Sequence, residues 1–102
     1  EVRKFGLRAP MVGHLGDGNF HVLLPYNPEK KETYEKIRKF SDLLIEKTLE
    51  LEGTITGEHG VGLHKKEYLK KEHADNLPTM KLIKRTMDPN NIMNPGKIFD
   101  LN

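Results

Sequence analysis

Two short stretches near the start of the chain place apolar side chains on alternate positions, and the residues after them switch to helical spacing. Met11 and Leu15 before Gly16-Asp17-Gly18, and Phe20, Val22 and Leu24 after it, share one side under the period-2 rule. Arg8 to Leu15 is therefore expected as a first strand, its start held to a sheet edge by Pro10, and Asn19 to Leu24 as a second. Beyond the turn Pro25-Tyr26-Asn27-Pro28, Tyr34, Ile37, Phe40, Leu44 and Leu51 recur at helical spacing, with Leu43 and Leu49 broadening the stripe. This predicts a helix from about Glu29 to Leu51, capped by Gly53. Glu1 to Phe5 reads as the end of a helix stopped at Gly6, and Thr54-Ile55-Thr56 as a short third strand. Gly57 to Gly62 is a glycine-rich loop, Lys65 to His73 a charged helical turn or two, and Leu77 to Met87 a helix with Met80, Ile83 and Met87 on one side. Asp88-Pro89-Asn90-Asn91 stops that helix, and Ile92 to Phe99 is irregular. The order of elements predicts an α+β fold, an antiparallel sheet with helices on one face, as in part of a ferredoxin-like domain.

Asp17-Gly18 is the preferred central pair of a type I′ turn, whose two central residues both need φ > 0. A two-residue loop there pairs Gly16 with Asn19, Leu15 with Phe20 and His14 with His21. The two imidazoles then face each other on the polar side of the hairpin, with Cβ atoms roughly 5 Å apart. Their plain alternative is a pair of half-exposed strand histidines. Asp17 could serve as a further ligand, but as a turn residue it is better placed to bond its own backbone.

The 102 residues suffice for one small domain. A net charge of +2, with lysines interleaved among glutamates, gives no case for a nucleic-acid partner. The absence of cysteine excludes disulfides, thiolate metal sites and thiol nucleophiles, and fits a reducing compartment. No apolar run is long enough for a membrane span, and no signal peptide is visible. The first residue is Glu1 rather than Met, and the chain reads as a single piece, 1–102, of a longer protein.

A third ligand for two facing histidines is offered by Glu58, which lies with His59 between Gly57 and Gly60, where the backbone can approach a site closely. Two imidazoles and a carboxylate with open positions suit catalytic zinc or non-haem iron. His59 suits a proton acceptor, since imidazole exchanges protons near neutrality. The plain alternatives are an exposed loop acid and an idle loop histidine. His64 and His73, and the run Lys65 to Glu72, read as solvated. The glycine-rich loop lacks the Lys-Ser/Thr of a phosphate-binding P-loop.

Three motifs then occur in order: Gly13-His14-x-Gly16-Asp17-Gly18-Asn19-x-His21, Gly57-Glu58-His59-Gly60-x-Gly62, and Asp88-Pro89-x-x-Ile92-x-Asn94-Pro95-Gly96-Lys97-Ile98-Phe99. Together, and with Lys65-Lys66-Glu67-Tyr68-Leu69, they resemble the C-terminal domain of FAD-linked oxidases of the D-lactate dehydrogenase and glycolate oxidase subunit type. The resemblance covers essentially the whole chain. It implies half of a ferredoxin-like cap domain, on the substrate side of an enzyme whose separate N-terminal domain binds FAD. It implies that His14, His21 and Glu58 ligate a divalent metal (zinc, manganese or iron) and that His59 is the active-site base. Asn19 would line the substrate pocket, and Asn94 and Lys97 would lie near the flavin or the domain junction. The implied substrate is a D-2-hydroxy acid such as D-lactate or glycolate, and the implied location is cytoplasmic, or peripheral to a membrane through an electron acceptor. The FAD domain lies outside these residues, so the isolated piece is expected to be inactive and free of flavin. Val12 and Leu23, on the histidine face, are expected to be left uncovered and to drive self-association. Two other readings of the residues are a metal-assisted hydrolase domain and a non-enzymatic ferredoxin-like interaction domain.

Overall fold

Met11–His14 form β1 and Asn19–Val22 form β2, an antiparallel pair. In the computed structural model, which describes residues 2–102, they are the strands found among the described residues. Their connection is not the expected two-residue turn. Leu15–Asp17 make a 3-10 turn, closed by the Gly18 N–H donating to the Leu15 carbonyl at 3.1 Å. Of the Asp17-Gly18 pair only Gly18 adopts positive φ, +69°. A four-residue loop moves the pairing by two: Met11 opposes Val22, Val12 opposes His21, Gly13 opposes Phe20, and His14 opposes Asn19. One further bond, Leu23 N–H to the Pro10 carbonyl at 2.9 Å, extends the ladder past the strand ends.

The chain divides into two compact units, the first ending at Glu52 and the second running over Gly53–Asn102. In the first, residues 2–6 form turns rather than the end of a helix, and Gly6 reverses the chain at φ +65°. Glu1, the first residue of that expected helix end, lies outside the described residues. Helix α1 spans Lys31–Glu50, two residues later than the periodicity predicts. Asn27 causes the delay: its side-chain Oδ1 accepts the Glu29 N–H and its carbonyl accepts the Lys30 N–H, both at 3.0 Å. Those bonds fix residues 27–30 as a turn, and the helical ladder begins at the Lys30 carbonyl, which accepts from Thr33 and Tyr34. The inner face of α1 centres on Phe40, which is buried, with Ile37, Leu44 and Ile45 half-buried around it. Phe5 meets Phe40 edge-on, ring centroids 5.7 Å apart, an arrangement favoured by the aromatic quadrupole. Tyr34 is half-exposed and packs beside Tyr26, with centroids 5.8 Å apart. The left-handed residue after the helix is Glu52, φ +58°, one position before the glycine expected to supply it.

In the second unit, residues 54–56 form no strand. Ile55 is nonetheless buried, and its backbone groups are taken by side chains of the following segment. Helix α2 spans Lys66–Glu72 with Leu69 buried, and α3 spans Leu77–Met87 with Pro78 in its first turn. Met80 is half-buried as expected, but Ile83 and Met87 are exposed; Leu77, Lys81 and Lys84 share the covered side instead. The cause is the C-terminal tail, whose carbonyls are gripped by the cations of α3. Lys81 donates to Asn102 at 3.0 Å, Lys84 to Met93 at 2.5 Å, and Arg85 to Leu101. The α+β class and the antiparallel sheet are as expected. Among the described residues no helix is long and apolar enough to cross a membrane.

Asp88 explains why the chain turns after α3. Its buried carboxylate accepts the N–H groups of Ile92 at 3.0 Å and Met93 at 2.9 Å, and the Lys84 ammonium. The Lys84 hydrogen bond lowers its pKa below the ordinary carboxylate value against the opposing effect of burial, with the two N–H groups acting in the same direction as Lys84. Asp100 is lowered likewise by its hydrogen bond to Lys66, at 2.5 Å. A carboxylate with a lowered folded-state pKa stabilises the fold fully above its unfolded value, near ~3.9, and loses that contribution as pH falls through the folded value. The denaturation midpoint is therefore expected to hold from neutrality to about pH 5 and to fall below about pH 4. Asp88→Asn should flatten that fall; an unchanged acid profile would dismiss the role.

Candidate functional site

The shift of two in the hairpin register keeps the side chains of the paired residues on their expected faces, because strand periodicity is two. Val12, His14, Asn19 and His21 share one face, and Met11, Gly13, Phe20 and Val22 the other. His14 directly faces Asn19, and His21 faces Val12. The histidines are thus diagonal neighbours, about 7–8 Å apart by strand geometry, rather than directly opposed. His14 is exposed, while Asn19 and His21 are half-buried. Leu15, expected on the apolar face, lies in the turn with 83% of its surface exposed. Asp17 is exposed in the same turn.

In the second unit Glu58 and His59 stand at the crest of the glycine-rich loop. The loop is drawn closed where the Thr56 hydroxyl donates to the Gly60 carbonyl at 3.0 Å. Gly60 and Gly62 adopt φ +76° and +54°, values open to glycine at little cost. The Ile98 N–H, donating to the Gly62 carbonyl at 2.8 Å, ties the end of the loop to the C-terminal tail. Nε2 of His59 lies 4.0 Å from Oε1 of Glu58, and both side chains reach solvent. A carboxylate and an imidazole presented together from a tied loop can bind a cation and accept a proton, respectively.

Asn94 and Lys97 come together in the third motif. Asn94 takes φ +46°, and its carbonyl accepts the Lys97 N–H at 3.2 Å, so the motif is a tight turn. Both residues line an open pocket of about 260 Å³ in the second unit, beside Met93 and Phe99. The candidate residues therefore fall into two sets, His14, Asn19 and His21 in the first unit and Glu58, His59, Asn94 and Lys97 in the second. The donor set fits a divalent metal of borderline character: two imidazoles on one strand face, a carboxylate, and no thiolate.

The run Lys65 to Glu72 departs from the solvated face expected of it. The Glu72 side chain is only 13% exposed and that of Lys66 only 16%. Lys66 donates to the Gly96 carbonyl at 3.1 Å, and His73, expected in solvent, lies half-buried with Nε2 3.4 Å from Oε1 of Glu72. The available signal was spacing: Lys65, Leu69 and Glu72 stand at i, i+4 and i+7, one face of a helix.

The family described as FAD linked oxidases, C-terminal domain, matches residues 1–98. The chain is 42% identical over 100 residues to the mitochondrial D-lactate dehydrogenase [cytochrome] of Arabidopsis thaliana, covering 97% of this chain and 18% of that protein. It is 41% identical over 97 residues to the glycolate oxidase subunit GlcD of Bacillus subtilis, covering 94% and 21%. To the D-2-hydroxyglutarate dehydrogenase of Stutzerimonas stutzeri it is 41% identical over 90 residues, covering 85% and 19%. The chain thus spans about a fifth of the length of these curated relatives.

Proposed function

Because the chain belongs to the family of FAD linked oxidases, C-terminal domain, we propose that it supplies the substrate and metal side of a flavin-dependent D-2-hydroxy acid dehydrogenase. The observation that carries the proposal is the similarity, over nearly the whole chain, to proteins named for oxidation of D-lactate, glycolate and D-2-hydroxyglutarate. What these substrates share is a hydroxyl beside a carboxylate, a pair of oxygens suited to chelating one cation. FAD, held by a separate N-terminal domain of the same polypeptide, supplies the hydride acceptor when bound. A divalent metal held by His14, His21 and Glu58 supplies Lewis acidity at the substrate hydroxyl when bound. Zinc, manganese and iron suit these donors.

The chain's own residues then divide the work. Asn19, on the histidine face beside His14, offers an amide to the substrate's polar oxygens. An imidazole nitrogen of His59 takes the hydroxyl proton as the carbon–hydrogen bond breaks. Asn94 and Lys97 serve the flavin or the junction with its domain, which the shared pocket of their turn supports. The absence of cysteine suits a reducing, cytoplasmic location, with transfer to an acceptor at a membrane surface; the Arabidopsis relative is named as mitochondrial.

The test is anaerobic mixing of the flavoprotein with D-lactate, glycolate or D-2-hydroxyglutarate, followed by flavin absorbance. Bleaching by at least one of them is expected, with loss of bleaching after chelation and recovery on adding back metal. His14→Ala and His21→Ala should each remove metal and activity together. Bleaching that survives complete metal removal would sink the metal assignment. Hydrolysis without flavin would favour a metal-assisted hydrolase, and neither metal nor turnover an interaction domain. For the isolated chain we expect self-association through the exposed Val12 (53%) and Leu23 (50%), and a strict monomer in sedimentation at high concentration would overturn that expectation.

A further inference from the structure

Glu72 closes α2, and its carboxylate reaches back seventeen residues to the base of the Glu58-His59 loop. Oε2 accepts the backbone N–H of Ile55 at 3.0 Å. Lys65, on the same side of the helix as Glu72, donates from Nζ to the carbonyl of Ile55 at 3.1 Å. Both polar backbone groups of Ile55 are thus held by side chains of this segment, where a neighbouring strand would otherwise have held them. Ile55 itself is 5% exposed, so losing either partner leaves a buried peptide group unsatisfied. An N–H bond to a charged carboxylate is also stronger than one to a neutral acceptor. Glu58 follows three residues after this clamp. The closure from Thr56 to Gly60 spans Glu58 and His59, and the far side of the loop is tied by Ile98 to Gly62.

We infer that Glu72, assisted by Lys65, is a positioning residue for the Glu58-His59 loop: it fixes where that carboxylate and imidazole stand by holding the backbone of Ile55. Glu72 need not touch substrate or metal to do so. Its catalytic consequence rests on the function proposed above, whereas the clamp itself does not.

The test uses the flavoprotein with Glu72→Ala, Glu72→Gln and Lys65→Met. It reads amide hydrogen exchange of a peptide covering Ile55–Gly62, the rate of flavin reduction by the D-2-hydroxy acid, flavin content and Tm. Glu72→Ala is expected to speed loop exchange about tenfold or more and to slow flavin reduction ~10–100-fold, the size typical of lost supporting contacts. Glu72→Gln keeps an acceptor oxygen and is expected to recover most of both, and Lys65→Met to fall between. If Glu72→Ala does not fold, the Gln and Met variants decide the matter by the same two readouts. Unchanged loop exchange would overturn the inference. So would faster exchange with an undiminished reduction rate, or a Gln variant as impaired as the Ala variant. A wild-type protein that no D-2-hydroxy acid reduces would overturn the functional reading instead, and the exchange comparison would still decide the clamp.

Discussion

Exchanging His59 for alanine in the flavoprotein is expected to lower the rate of flavin reduction by ~10²–10⁴-fold, the usual contribution of a positioned general base, while metal and flavin contents stay at their wild-type values. The selectivity follows from how the loop is held. Its closures run from Thr56 to Gly60, from Ile98 to Gly62 and through the backbone of Ile55. None of these uses the imidazole, whose side chain is 71% exposed. Removing it should therefore leave the backbone that carries Glu58 in place, while the 4.0 Å approach of Nε2 to the Glu58 carboxylate is lost. Metal analysis and flavin absorbance check that the rest of the site survives, and stopped-flow reduction measures the step. An undiminished rate would end the proton-acceptor role. Loss of metal in parallel with activity would make His59 a ligand.

The face shared by His14 and His21 was legible because strand parity survives a register shift of two. The register itself was not. Choosing between a two-residue and a four-residue loop depends on whether Leu15 and Gly16 stay extended, which alternation cannot decide. In the event Leu15 left the strand for a 3-10 turn. The start of α1 was not legible either, since Asn27 holds Glu29 and Lys30 in a local turn and the helical ladder begins only at the Lys30 carbonyl. In the second unit the differences from the expected pattern share one physical cause. Apolar periodicity sees Leu69 but not Lys65 or Glu72, and it sees Ile83 and Met87 but not the cations that bind the tail. Polar side chains that satisfy distant backbone groups leave no hydrophobic pattern. Ile55 is buried, yet its expected strand does not form; the side chains of Glu72 and Lys65 meet the hydrogen-bonding needs of its backbone instead. The chemistry of the site was legible as residue types in short motifs, while the supports that aim those residues were not.

Gly13→Ala is expected to melt the hairpin that presents His14 and His21. Gly13 opposes Phe20, and a β-carbon built there would lie 2.5 Å from the Phe20 Cα and 3.1 Å from the Asn19 carbonyl carbon, with the Asn19 carbonyl oxygen also in collision. All three are backbone atoms of β2, so no side-chain rotation can relieve the clash. Overpacking of this kind costs ~1–3 kcal/mol or more. A two-stranded hairpin is marginal on its own, and every residue of β1 is exposed, so the strain should be released by local opening rather than by global unfolding. Hydrogen-exchange protection of the hairpin amides is accordingly expected to fall roughly 5- to 150-fold, matching that cost, with only a small change in Tm. Gly16→Ala is the control: nothing lies within 4 Å of the added carbon and its φ is not positive. It should leave protection near wild type. In the flavoprotein, metal affinity should follow hairpin protection, falling for Gly13→Ala and not for Gly16→Ala, because His14 and His21 share a face only while the strands pair. Equal protection in the two variants would mean that the close approach at Gly13 is not what fixes the register.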